Sequence, residues 1–119
     1  MDKTQIQKTA DFKAQSVWNF FRQHYPQLMV MPPIIVLNGR FTQTAACNVC
    51  EDRVIKIGTK FFVKFPDIMT NVIVPHEVCH QVDFDINGWY NRKPHHGKPW
   101  QTLMIQYGLP PEPYHSMIL

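Results

Sequence analysis

The sequence has 119 residues, 45% of them hydrophobic and 18% charged, which suits one folded domain and excludes both a disordered chain and a pair of domains. Its formal charge of +3 is slight for a dedicated nucleic-acid binder, and no apolar run approaches the ~20 residues that a bilayer requires. Met1-Asp2-Lys3-Thr4-Gln5 lacks the order of a secretory leader and the three cysteines are an odd count, so a cytoplasmic, monomeric protein that is not secreted is expected.

Early in the chain Ile6, Ala10, Ala14, Val17, Trp18 and Phe21 recur at helical spacing, the stripe of an amphipathic helix with Thr4 as its N-cap. Pro26 ends it, because the residue before a proline is pushed out of helical geometry. Phe12 and Phe20 lie off the stripe, which predicts cover on more than one side, and His24 reads as structural. Residues 34–37 form a β-branched run followed by the turn signal Asn38-Gly39. Residues 41–49 and 53–57 read as two further strands joined at Glu51-Asp52. Three strands with short polar turns predict a small, mainly antiparallel sheet. Cys47 and Cys50 make a lone C-x-x-C, with no second pair to complete a four-ligand site, and read as half-buried strand cysteines. Residues 61–65 fit a strand or the approach to a helix equally well.

Asp67 is placed to cap a helix through Ile68, Met69 and Val72, and Pro75 either kinks it or opens a second helix in its first turn. Asn87-Gly88 closes that helix, since glycine takes the left-handed conformation at helix ends. A polar loop over residues 89–97 leads to a last helix, from near Pro99 to Gly108, with Trp100, Leu103, Met104 and Tyr107 on one face. The proline-rich tail that follows cannot be helical. The expected fold class is α+β: an N-terminal helix and two later helices packed on a three-stranded antiparallel sheet, in one domain over residues 1–119.

Chemistry concentrates in His76-Glu77-Val78-Cys79-His80. Residues four apart on a helix lie one above the other, so His76 and His80 present two imidazoles to one point. Glu77 sits one step around, beside a metal rather than on it, where a carboxylate can take a proton from water. A catalytic zinc site needs a third protein ligand, and Asp83, Asp85, His95 and His96 are the candidates. Asp83 is better cast as a partner that orients His80, because a rigid helix cannot bring three successive turns to one ion. His95 and His96 lie on a loop that can fold back. His115 reads as a surface residue, with a cap on the core near the site as the alternative.

The run from His76 to His80, followed by Pro94-His95-His96-Gly97-Lys98-Pro99-Trp100, resembles the SprT-like family, which includes the Spartan proteases. The resemblance implies a zincin-like metalloprotease domain with Zn2+ held by His76, His80 and His96, and Glu77 as the catalytic base. It also implies work on DNA-associated proteins. His96 is selected because the family's third ligand precedes a glycine and, further on, an aromatic residue that opens the last helix. The sequence departs from the family in ending at Leu119 without a cysteine-rich zinc ribbon, in Gly58-Thr59, and in lacking Spartan's DNA-binding modules.

The resulting expectation is hydrolysis of peptide bonds in a protein substrate, with residues 53–57 holding an extended chain by strand addition. The rival expectation is a non-catalytic, zinc-stabilised adaptor for nucleic acid or protein. His95, Arg92, Lys93 and Lys98 are the candidate substrate or DNA contacts, and so few cations allow only weak, non-specific binding, with a place at the nucleoid as an extension.

Overall fold

Helix α1 spans Lys3–His24 and buries Ile6, Ala10, Ala14, Val17, Trp18 and Phe21, the stripe that the spacing predicts. The computed structural model describes residues 1–88 and 95–119. The N-cap is Asp2 rather than Thr4. Its carboxylate accepts the Gln5 backbone N–H at 2.8 Å and the Gln5 side chain accepts the Asp2 N–H at 2.9 Å, a reciprocal pair that Thr4 cannot match. Phe20 is covered, edge-on to Tyr107 at 5.2 Å, whereas Phe12 is 78% exposed.

Strands β1 (Ile34–Asn38), β2 (Ala46–Val49) and β3 (Val54–Gly58) form a sheet in the order β1-β3-β2. β2 pairs antiparallel with β3, but β1 pairs parallel, with Ile34 opposite Val54 and Asn38 opposite Gly58. The sheet is therefore mixed, not antiparallel. After Asn38 the chain does not fold back as a hairpin; it crosses to the far edge of the sheet, and a parallel pair needs such a crossover. Residues 41–45, expected as strand, make that crossing and tie down through Gly58 N–H to the Ala45 carbonyl at 2.8 Å. β3 lies in the middle with Ile55 and Ile57 wholly buried. It is paired on both sides, so residues 53–57 cannot accept a further strand.

A 3-10 turn, Cys50–Asp52, joins β2 to β3 and ends at Arg53, whose φ of 56° is left-handed. That geometry costs a non-glycine residue about 1 kcal/mol. The side chain offsets it: Arg53 donates to Asp85 at 2.7 Å and to the Met31 carbonyl at 3.1 Å, and lies 5.3 Å from the Trp18 ring. Arg53→Ala is expected to lower unfolding free energy by about 1–3 kcal/mol, read from urea melts, because it leaves Asp85 with Gln81 as its donor and no cation, and frees the Met31 carbonyl in the loop before β1. A midpoint unchanged from wild type would show that the turn holds itself.

The second half of the chain is helical. Helix α2 (Thr59–Lys64) resolves the ambiguous residues as helix and buries Phe61 and Phe62. A single turn, α3 (Pro66–Ile68), follows with Pro66 in its first position; Asp67 lies inside it and does not cap. Met69–Ile73 is a π-helical turn leading into α4 (Val74–Asn87). Pro75 has no N–H for the carbonyl four residues back and its ring would strike that carbonyl. The wider π turn makes room, so the helix runs on with Pro75 in its first turn. α4 ends at Gly88, with φ of 76°. Helix α5 (Lys98–Tyr107) stops at Gly108, φ 106°, which donates to the Met104 carbonyl.

α4 is buried on all sides from Val74 to Asp83, because α1 and α5 pack on it and β2 passes along it. This central position puts two polar motif turns inside the molecule. Among the described residues no helix is long and apolar enough to cross a membrane.

Candidate metal centre

Two adjacent turns of α4 present His76 and His80, and the segment before α5 brings His96 to meet them. The His96 Nε2 lies 3.1 Å from His80 Nε2 and 3.2 Å from His76 Nε2. Hydrogen bonding cannot satisfy this cluster. A neutral imidazole nitrogen is either a donor or an acceptor, so the shared His96 Nε2 can serve one neighbour and leaves the other facing it unpaired. One cation at the centre satisfies all three. Imidazole nitrogens at zinc's usual 2.0 to 2.1 Å in a tetrahedron stand about 3.3 Å apart, close to the separations here. His76, His80 and His96 are the one group of metal-holding geometry among the described residues.

Burial sets the ionisation that a metal requires. His76 is pushed down to about 3 by burial first and then by the rings of His96 and His115. His80 is pushed down to about 2 by burial and the rings of His76, His96 and His95. His96 is lowered by burial and by His95. All three imidazoles are therefore held in the neutral, ligating form.

Trp100 organises the rings. It lies 5.3 Å from His80 in a near-parallel stack and meets His76 and His96 edge-on, each at 4.7 Å. Its indole N–H donates to the His76 carbonyl at 3.2 Å, and Gln101 donates to the His96 carbonyl at 2.9 Å. The start of α5 thus fixes both sides of the cluster. His76 Nδ1 is buried without a partner. Asp83, expected to orient His80, is buried and accepts from Asn87 at 2.9 Å.

The Glu77 carboxylate stands 3.7 Å from His76 Nε2. Burial raises it to about 8, and the Asn48 backbone N–H opposes that shift. The Asn48 side chain also donates to the Glu77 carbonyl at 2.8 Å, tying β2 to the motif helix. His76, Glu77, His80 and His96 line one cavity of about 670 Å³, together with β2 residues including Cys47 and Asn48.

The remaining candidates divide. His95 is exposed and lines the same cavity, outside the three-nitrogen group. Lys98 is exposed at the start of α5. Arg92 and Lys93 lie outside the described residues. Cys47 is exposed on β2, whereas Cys50 sits in the 3-10 turn and Cys79 in the core, so only Cys47 is a strand cysteine. Burial, followed by nearby carboxylates, raises the Cys50 thiol to about 12 and Cys79 further still, which leaves both unreactive.

His115 takes the less favoured of its two readings, near the site rather than on the open surface. The tail beyond α5 folds over the site, and Pro113, Tyr114, His115 and Met117 join the cavity lining. Lys64 anchors its end by donating to the carbonyls of Ile118 and Leu119 at 2.6 and 2.8 Å. The only signal in the sequence was a histidine in a tail too rich in proline to be helical.

The sequence profile of the SprT-like family matches residues 13–115, which takes in every residue of this centre. The chain belongs to the SprT-like family. It is also similar to Protein SprT of Actinobacillus succinogenes, at 33% identity over 67 residues, 56% of this chain and 38% of that protein. The chain thus spans well under half the length of that relative. No solved structure matches it significantly. SprT-like membership and the buried His76/His80/His96 cluster together indicate a metal centre of the zinc-metalloprotease type.

Proposed function

We propose that this SprT-like chain is a zinc-dependent endopeptidase with a zincin-like catalytic arrangement. The observation that carries the reading is the meeting of three imidazole nitrogens with a buried carboxylate 3.7 Å from one of them, in an open cavity. His76, His80 and His96 would hold the ion. Zinc bound there supplies a Lewis acid that polarises a carbonyl and makes water nucleophilic near neutral pH. Glu77, which is not a ligand, accepts the proton of the attacking water and returns it to the leaving amine. A buried carboxylate beside the cluster is costly to a purely structural zinc site, which disfavours the adaptor reading.

The substrate is an extended segment of protein. β2 has a paired neighbour on one side only among the described residues and its residues line the cavity, so strand addition belongs to β2 rather than to β3. Treating the protein with a chelator should abolish cleavage of casein, and zinc should restore it. Cleavage that survives chelation rules the reading out.

Lys98, exposed two residues from His96, supports a weak basic rim, and the sequence adds two more cations nearby in the chain, Arg92 and Lys93. Each neutralised phosphate of a single strand contributes roughly 0.7 to the salt slope, so single-stranded DNA binding should be non-specific and gone by ~200 mM salt. Affinity unchanged when the three cations become alanine would overturn the basic rim as the place of binding.

A further inference from the structure

Two buried side-chain atoms among the residues lining the metal cavity have no hydrogen-bond partner and belong to no proposed ligand: Asn48 Oδ1 and His115 Nε2. Asn48 already has a role, since it donates to the Glu77 carbonyl. His115 has none. Its ring centre lies 6.0 Å from that of His76, and it does not join the three-nitrogen group that can hold the ion. A buried polar nitrogen without a partner is unfavourable. Met117 packs against the core and anchors the segment, while the neighbouring Tyr114 is 82% exposed.

We propose that His115 is a catalytic residue whose Nε2–H donates to the carbonyl oxygen of the peptide bond being cleaved. The inference rests on the peptidase reading. As water adds to the carbonyl carbon, the C=O π pair moves onto oxygen and that oxygen gains negative charge. A donor fixed beside His76 strengthens its bond as the charge grows, which lowers the barrier more than it tightens substrate binding. The proton stays on His115, and Glu77 carries the proton that moves. The tail therefore completes the site, and Lys64, by holding the carbonyls of Ile118 and Leu119, sets the position of the donor.

Three forms of the zinc-loaded protein test this: wild type, His115→Phe, which keeps the ring volume without a donor, and His115→Gln, whose amide can place an N–H near the lost one. The expected result is a fall in kcat for casein-derived peptide of about 10²–10³ in His115→Phe, with KM within about threefold and partial recovery in His115→Gln. Zinc content should match wild type, and the urea midpoint should equal or exceed it. Affinity for a phosphinic peptide, whose tetrahedral oxygens mimic the charged carbonyl, should fall in parallel. Affinity for the uncleaved peptide, measured in a Glu77→Gln background, should not. Loss of zinc in His115→Phe makes His115 a metal ligand and overturns the inference. So does unchanged kcat in a cleaving wild type, or a phenylalanine defect that glutamine does not relieve. A wild type that neither cleaves nor binds the phosphinic peptide overturns the peptidase reading and this inference with it.

Discussion

Glu77→Gln is expected to slow peptide hydrolysis by about 10²–10⁴ while about one zinc per chain remains bound, because it removes a proton acceptor and leaves all three imidazoles in place. The glutamine amide matches the carboxyl in size, so the packing of α4 against β2 should survive. Stability supplies an independent sign. In the metal-free protein burial raises the Glu77 carboxyl from 4.5 to about 8. A raised acid contributes stability below its unfolded value and loses it as pH rises through the window from 4.5 to about 8. Metal-free Glu77→Gln should therefore equal or exceed wild type in urea at pH 8. A variant that lost both zinc and stability would show Glu77 to be structural.

The second large effect concerns the ligands. His76→Ala, His80→Ala and His96→Ala should each lose the metal, but their metal-free forms should differ. His76 and His80 are buried beside Trp100, and truncation there leaves a cavity costing about 2–4 kcal/mol. His96 is half-buried ahead of α5, and its removal should cost the fold little. Equal zinc content in wild type and His96→Ala would refute its place in the centre.

The same residues fix the acid response. The folded metal-free protein holds His76 and His80 at about 3 and about 2, against 6.5 when unfolded. Below 6.5 the unfolded chain binds more protons at these two sites, so their contribution is full above that pH and falls as pH drops toward 3, against the opposite trend of Glu77. Between pH 6.5 and 5 each imidazole costs roughly 2 kcal/mol, and zinc, whose ligands stay neutral in the folded chain, should be lost only as the fold itself gives way. Urea midpoints at pH 7 and 5 measure this. The drop should be smaller in His80→Ala, and an equal drop would place the sensitivity elsewhere.

Several features were legible in the sequence because each depends on spacing along one segment. The apolar stripe from Ile6 to Phe21 became the buried face of α1, and glycines at 88 and 108 ended helices where only a positive φ fits. His76 and His80 were placed together by helical pitch alone, and Glu77 beside them by the same pitch. Local chemistry also misled. Thr4 reads as a cap, but the reciprocal bonds of Asp2 and Gln5 take that place, whereas Pro75 adopts one of its two readings, the first turn of α4.

What the sequence by itself determined was therefore the helical half of the centre: two imidazoles and a carboxylate, in order, on one helix. Tertiary structure decided the rest. It put β1 parallel to β3, since pairing depends on where a crossover lands and not on strand alternation. It brought His96 to the helix pair, edge-on to Trp100, and Asn48 to the back of Glu77 from an edge strand. It also carried His115 to the same cavity from a tail without periodicity. Such contacts join segments far apart in the chain, and their free energy comes from burial shared among several elements, which no single segment's spacing encodes.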